Sequence, residues 1–399
     1  MEGRFLNPVG YSYAGIHAGL KKRKKDMALI VSDRMATSAA AFTTNVVKAA
    51  PVIYDMGILK GGKAQAILVN SGNANACTGT RGLEDAGHSA ALVAHELDIP
   101  EDAVFVSSTG VIGVPLDMER IEGGVKELAT SLGDDPIPAA EAILTTDTKT
   151  KLASVEIEID GKSVTISGMA KGSGMIHPNM ATMLCFIITD ATIGHEALQK
   201  LLGKGICDSF NMISVDGDTS TNDSVIVLAN GASGCGEIEE GSTAYAAFAV
   251  AFDQVLGELA RQIVKDGEGA SRFIEMRVTG ASSKADARTL ARAVISSSLV
   301  KAAFFGADAN WGRILCAMGY SGASFNPDLV DLDFISAKGK IRVLEGGVPL
   351  PFDEDEAKAI LLEKEVAVLA DCHQGDGEAV AWGCDLTYDY VKINGDYRS

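Results

Sequence analysis

No two of the seven cysteines in this 399-residue chain are spaced as C-x-x-C, and an odd number (77, 185, 207, 235, 316, 372, 384) scattered through apolar stretches suits no disulfide framework. Reduced thiols are expected. The six histidines (17, 88, 95, 177, 195, 373) are equally dispersed, so no metal-ligand spacing exists and no metal site is expected. There is no G-x-S-x-G elbow for a serine hydrolase and no phosphate-binding loop ending in GK[ST]. Long apolar runs are missing, and "MEGRFLNPVGYSYAG" at the start has no apolar signal core. Positive charge is short too: 35 Lys and Arg against 53 Asp and Glu give a net charge of −18, which repels nucleic acid and anionic lipid. The single basic run, Lys21-Lys22-Arg23-Lys24-Lys25, reads as a solvated loop. A soluble cytoplasmic protein without nucleic-acid or membrane partners is expected.

Apolar residues make up 47% of the chain and glycine contributes 43 positions, which suits a loop-rich α/β protein with a sizeable core. Strand-like runs occur at 28–33, 40–47, 65–72 and 103–110, with helical periodicity at 85–97 and 118–132. "SVEIEIDGKSVTISG" alternates polar and apolar residues on both sides of Asp160-Gly161, a hairpin signature. Strands follow at 183–188, "SVIVLANG" and "RFIEMRVTG". Helices are expected near 194–210, over 244–264, over 284–303, around 311–319 and within 354–368, and the last strand-like run is "YDYVKI" at 388–393. Alternating strands and helices combined with hairpins predict a layered α/β sandwich with mixed β-sheets flanked by helices rather than a doubly wound fold.

Several motifs fail on inspection. "DGDTSTND" at 216–223 opens like a calcium loop, but its sixth position is Thr221 instead of glycine and its twelfth Val227 instead of glutamate. "GASGCG" at 231–236 opens no clear helix. Asn222-Asp223-Ser224 fits a glycosylation acceptor only on paper. Cys185 lies inside an apolar run, where a thiol is packed and inert. His88 and His95, seven apart on one helix, read as ordinary placement.

"KGSGMIHPNMATMLCF" at 171–186 packs glycine, proline and asparagine ahead of an Ala181-Thr182 junction. One reading is a tight turn feeding a buried strand. The other is a self-cleaving junction. A threonine hydroxyl is a poor nucleophile without a base, and cutting the peptide before Thr182 would free its own α-amine for that role, with a pKa of about 7.7 to 8.0. Ala181 is small, β-branching stiffens χ1 of Thr182, and Pro178 with the glycines could impose local strain. The residues alone leave both readings open.

The same stretch resembles the autoprocessing segment of the ornithine acetyltransferase (glutamate N-acetyltransferase) family of arginine biosynthesis. The similarity continues through "FTTN" (42–45), "VNSGNANACTG" (69–79), "SSTGVIG" (107–113), "TTDTKTK" (145–151), "VKDGEGASRF" (264–273), "LVKAAFFGADANWGRI" (299–314) and the terminal "CDLTYDYVKINGDYRS". The resemblance implies cleavage between Ala181 and Thr182 into an α segment, 1–181, and a β segment, 182–399, that stay together. It implies Thr182 as the nucleophile, Thr109 and Gly110 as the oxyanion pair, and Thr148, Lys171, Thr182, Glu268, Asn394 and Ser399 as substrate-binding positions. Implied too are transfer of an acetyl group from N2-acetyl-L-ornithine to L-glutamate through acetyl-Thr182, no cofactor, acetyl-CoA as a second candidate donor, and a heterotetramer of two α and two β segments. Lys171 would meet the substrate carboxylate and Glu268 the amine of ornithine. Thr150 and Gly383 depart from common family residues, which touches only the side-chain pocket. The rival readings are a self-processing amidohydrolase or β-peptidase of the same nucleophile class, and a non-catalytic binding relative.

Overall fold

A computed structural model describes residues 5–177 and 183–395. These fall into two compact units: 5–172, 183–210 and 219–263 form the first, and 173–177, 211–218 and 264–395 the second. Ala181 and Thr182, together with Ser399, lie outside the described residues.

The strands of the first unit are β1 (Tyr11–Ile16), β2 (Met27–Phe42), β3 (Lys63–Asn73), β4 (Val104–Val111), β5 (Lys151–Ile159), β6 (Lys162–Lys171) and β7 (Leu184–Thr189), and, after a two-residue β8 (Ile213–Ser214) belonging to the other unit, β9 (Ser224–Ala229). They form one sheet in the order β4-β3-β2-β9-β7-β6-β5, with β1 also paired to β2. The β3–β4 and β7–β9 pairs are parallel and the remainder antiparallel, so the sheet is mixed. The expected hairpin joins β5 to β6. Asp160 and Gly161 both take positive φ, +51° and +71°, as its turn demands.

Among the described residues six helices flank this sheet: α1 (Ala50–Ile58), α2 (Gly79–Leu97), α3 (Met118–Thr130), α4 (Ile137–Ala142), α5 (His195–Cys207) and α6 (Thr243–Lys265). Alternation along the strands sorts their side chains into two cores. Ala28, Ile30, Ile67, Val69, Phe105, Phe186 and Ile226 point to one, closed by Ala139, Ala140 and Ala142 of α4. Met27, Leu29, Ala66, Leu68, Val104 and Val106 point to the other, packed under α2 and α3. Over β6 lies α6: a Cβ on Gly168 would sit 2.8 Å from Leu259, and Gln262 exchanges two hydrogen bonds with the backbone of Leu152 in β5. All six residues of β7 are buried, because β6 and β9 flank it on both edges and side chains cover both faces. That is why its sequence is a continuous apolar run instead of an alternating one.

In the second unit, β8 joins β10 (Phe273–Ala281), β11 (Asp331–Ser336), β12 (Gly339–Glu345), β13 (Val348–Pro349), β14 (Glu365–Asp371) and β15 (Gly377–Cys384) in the order β13-β12-β11-β14-β10-β15-β8. Helices α7 (Lys284–Ser296), α8 (Ser298–Gly306), α9 (Trp311–Gly319), α10 (Glu354–Leu361) and α11 (Tyr388–Gly395) complete it, around a core that includes Met276, Leu290, Val294, Phe334 and Val368.

The layered α/β class stands, with local differences from the expected elements. The run at 28–33 and the start of that at 40–47 are one strand, β2, which ends at Phe42 and whose pairing with β3 shifts register between Val31 and Ala36. The expected helix over 284–303 is two, because Ser297 is extended and its side chain accepts the Val300 N–H as the N-cap of α8. The helix expected within 354–368 stops at Leu361, and the alternating "EVAVLAD" after it is β14. "YDYVKI" is not a strand but α11. Its aromatic and β-branched content suits a strand, yet Thr387 Oγ1 accepts the Tyr390 N–H at 3.3 Å and starts a helical turn. Among the described residues no helix is long and apolar enough to cross a membrane.

Candidate active site

In the first unit the site grows from the ends of β3 and β4. These run parallel up to Ser71 opposite Thr109 and Gly72 opposite Gly110, and then the register slips at Asn73. Gly110 has φ +134°, and a Cβ there would lie 2.3 Å from the Gly72 carbonyl carbon, so the position admits only glycine. Thr109 and Gly110 are both half-buried. Asn222 ties this corner together from the start of β9: its Nδ2 donates to Ala74 O at 2.6 Å and Ser108 O at 2.8 Å, and its Oδ1 accepts from Thr221 Oγ1 at 2.6 Å. The buried Asn222 is thus a structural anchor.

Lys171, the last residue of β6, is 8% exposed, and its Nζ donates to Thr109 Oγ1 at 3.4 Å. Behind it Asp147 pairs with Lys151 at 2.7 Å, both side chains essentially sealed. Burial opposes ionisation of Asp147, yet Lys171 and Lys151, with the hydrogen bonds from Lys151 and the Thr145 N–H, hold its carboxyl far below the usual carboxylate range. Asp223 faces the same lysine with the opposite outcome. Burial drives its carboxyl well above the ordinary value, against weaker pulls from Ser220 and Lys171, and its Oδ2 has no hydrogen-bond partner among the described residues. Two acids beside one lysine are pushed apart, one ionised and one toward the neutral acid.

The basic run differs in part from the expected solvated loop. Lys22, Arg23 and Lys24 are exposed, but Lys21 is half-buried and donates to Leu144 O at 2.9 Å. Burial lowers its pKa to about 8, with Asp26 and Asp147 pulling upward and Lys24 and Lys171 downward. Thr148 is exposed in the turn just after Asp147.

On the other side of the Ala181-Thr182 junction, Met183 is bonded to Thr182. Its carbonyl accepts the Ser224 N–H at 2.9 Å, which starts β7 against β9. Cys185, two residues on, is fully buried and its thiol pKa is pushed up by burial, which leaves it inert as expected.

The second unit holds the remaining described candidates. Glu268 is buried. Its Oε2 accepts from Asn394 Nδ2 at 2.7 Å, and its backbone N–H donates to Ser173 O at 2.8 Å. Gly174 leaves room for this carboxylate, since a Cβ there would stand 2.3 Å from Glu268 Cδ. The sequence pattern "KGSG" therefore has a packing reason at its second glycine. Asp216 accepts the N–H groups of Met175 and Ile176 at 2.6 and 2.9 Å, so the acidic loop rejected as a calcium site braces the glycine turn instead. His177 Nδ1 lies 3.1 Å from Ser214 Oγ, and its pKa is lowered by burial and then by Arg292, against Asp218. Among the described residues no group of three His, Cys, Asp or Glu side chains could hold a metal ion.

Thr109, Gly110 and Lys171 are thus brought together in one unit, Glu268 and Asn394 in the other, while Thr148 stands exposed and Ala181, Thr182 and Ser399 lie outside the described residues. The sequence reading missed Asp147, Lys151, Lys21 and Asp223. The alternation in "TTDTKTK" was the available signal for the first two: an acid and a base four apart in a stretch too short for a helix.

Buried polar groups converge on a glycine-bounded strand end, with the Lys171 ammonium against the Thr109 hydroxyl, an arrangement of the kind active sites use. Residues 12–399 match the ArgJ family, and the chain belongs to it. It is 55% identical to the arginine biosynthesis bifunctional protein ArgJ of Thermotoga neapolitana over 98% of this chain and 99% of that protein. It is 52% identical to the ArgJ of Caldanaerobacter subterraneus over 100% and 99%. Among solved structures, the arginine biosynthesis bifunctional protein ArgJ of Bacillus halodurans is similar at 45% identity with a TM-score of 0.52, covering 54% of this chain and 99% of that one.

Proposed function

We propose that this chain moves an acetyl group from N2-acetyl-L-ornithine to L-glutamate in arginine biosynthesis, after cutting itself between Ala181 and Thr182. The match along essentially the whole chain to proteins named for arginine biosynthesis carries this reading. Thr182 Oγ attacks the Ala181 carbonyl carbon and the C–N bond breaks as the nitrogen takes a proton. Water then hydrolyses the resulting ester. The freed α-amine serves as the base for the same hydroxyl. In turnover Thr182 Oγ attacks the acetyl carbonyl, and the Thr109 hydroxyl and Gly110 N–H meet the oxygen that becomes negative. Ornithine departs with a proton, and the amine of glutamate then takes the acetyl group.

Lys171 meets the substrate carboxylate and Glu268, steadied by Asn394, the side-chain ammonium of ornithine. Thr148 and Ser399 are the remaining substrate-binding positions. One observation supports the cleavage, and a second supports the two segments staying together. The Bacillus halodurans chain corresponds to 54% of this one, a share that residues 182–399 would fill. And β7, which follows the junction, is hydrogen-bonded between β6 and β9, with β9 paired in turn to β2. Segments 1–181 and 182–399 would share these ladders, which keeps them together after the cut. Two copies of each form the assembly, in the cytoplasm. No cofactor takes part, and acetyl-CoA is a second donor.

The test is an acceptor-dependence assay. With N2-acetylornithine alone, about one equivalent of ornithine per enzyme is expected, and sustained release with matching N-acetylglutamate only once glutamate is added. Sustained ornithine and acetate production without glutamate would mean a hydrolase instead.

A further inference from the structure

Asp147 takes no part in the steps above, yet its surroundings are built around it. With Lys151 it forms an ion pair whose side chains are 0% and 1% exposed. Such a pair loses hydration that mutual attraction alone does not restore, so it persists where further hydrogen bonds satisfy the carboxylate. Asp147 has them: it accepts the Gly172 N–H at 2.6 Å and the Thr145 N–H at 3.0 Å. Gly172 directly follows Lys171. The carboxylate therefore grips the backbone at the end of β6 while attracting the ammonium of the residue just before it.

The consequence falls on Thr109. An ammonium has donors only, so at the 3.4 Å Lys171–Thr109 contact the hydroxyl oxygen accepts and its own proton turns away from the lysine. A hydroxyl whose lone pair faces a cation is also a stronger donor. Two other charged groups among the described residues act on Lys171, and neither replaces Asp147: Asp223 is driven toward its neutral form by burial, and Lys21 is a cation.

We propose that Asp147 is a positioning residue for acetyl transfer: by holding Lys171 and the Gly172 backbone, it keeps the lysine against Thr109 Oγ1 and so aims the Thr109 O–H at the oxygen that becomes negative. This rests on the reading of Thr109 as an oxyanion donor.

The test is a double-mutant cycle in the full chain between Asp147→Asn and Thr109→Ala, with cleavage state and Tm recorded for each variant. Asp147→Asn should lower kcat about tenfold to a hundredfold with the KM for N2-acetylornithine within about threefold. In the Thr109→Ala background the same change should cost less than about threefold, because the hydroxyl it acts through is gone. Because Asp147→Asn strands Lys151 in the interior, Asp147→Asn combined with Lys151→Met is run in parallel. If neither folds, Lys171→Met takes their place in the cycle and is read on kcat at saturating substrate alone, because this lysine also meets the substrate carboxylate, with the same coupling to Thr109 expected. Equal losses in the two backgrounds, or a loss confined to KM, would overturn the proposal. A Thr109→Ala enzyme as fast as wild type would overturn the oxyanion reading and this inference with it.

Discussion

Thr182→Ala is expected to remain one polypeptide of 41.6 kDa on a denaturing gel, where the wild type resolves into two pieces, the second beginning at Thr182. The change removes the hydroxyl along with the γ-methyl, and that hydroxyl is both the group that attacks the Ala181 carbonyl and the group that later carries the acetyl. Maturation and turnover are therefore lost together. Transfer should fall by a factor on the order of 10⁶, as when a covalent nucleophile is deleted elsewhere. Thr182→Ser keeps a hydroxyl but not the β-branch that limits χ1. It should still cleave, at a lower rate, and that partial rescue separates loss of the nucleophile from damage to the fold. Secondary structure and Tm should match the wild type in both variants. An intact Thr182→Ala chain with wild-type transfer would remove Thr182 from the chemistry altogether.

Thr109→Ala is expected to lower kcat about 10²- to 10³-fold once the protein is cleaved, the usual cost of losing one preorganised donor to a developing oxyanion. KM should change little, because the donor acts on charge that exists only in the transition state. The same donor would face the Ala181 carbonyl oxygen during self-cleavage, so maturation should slow as well, and the cleaved fraction has to be measured by gel before kcat is assigned. Gly110 cannot be probed as cleanly. Its φ is +134° and a Cβ added there would come within 2.3 Å of the Gly72 backbone, so Gly110→Ala distorts the β3–β4 pair itself.

What the sequence made legible is what depends on neighbours along the chain. The β5–β6 hairpin followed from alternation around Asp160-Gly161, and β7 from an apolar run whose six residues all prove buried. The helix at 311–319 has the bounds its periodicity suggested. Misreadings arose where a single hydrogen bond outweighs local preference. Ser297 splits one periodic stretch into α7 and α8, and Thr387 turns a strand-like segment into α11. Along the site, the resemblance named Thr109, Gly110 and Lys171, and the structure brings them together through strands far apart in sequence. Asp147 escaped notice because nothing local says that its carboxylate meets the end of β6, 25 residues later. Lys21 escaped for a similar reason: nothing local says that its ammonium reaches Leu144 O while Lys22, Arg23 and Lys24 stay exposed. Asp223 sits in a motif judged by its fit to a calcium loop, whereas its role is set by burial beside Lys171.

The covalent intermediate is the centre of the account, and mass spectrometry of the enzyme after brief exposure to N2-acetylornithine without glutamate tests it most directly. One acetyl group is expected on the peptide that begins with Thr182, gone again when glutamate is added before quenching. An enzyme that transfers acetyl groups at full rate while that peptide never carries one would contradict it, and direct transfer between two bound amino acids would have to take its place.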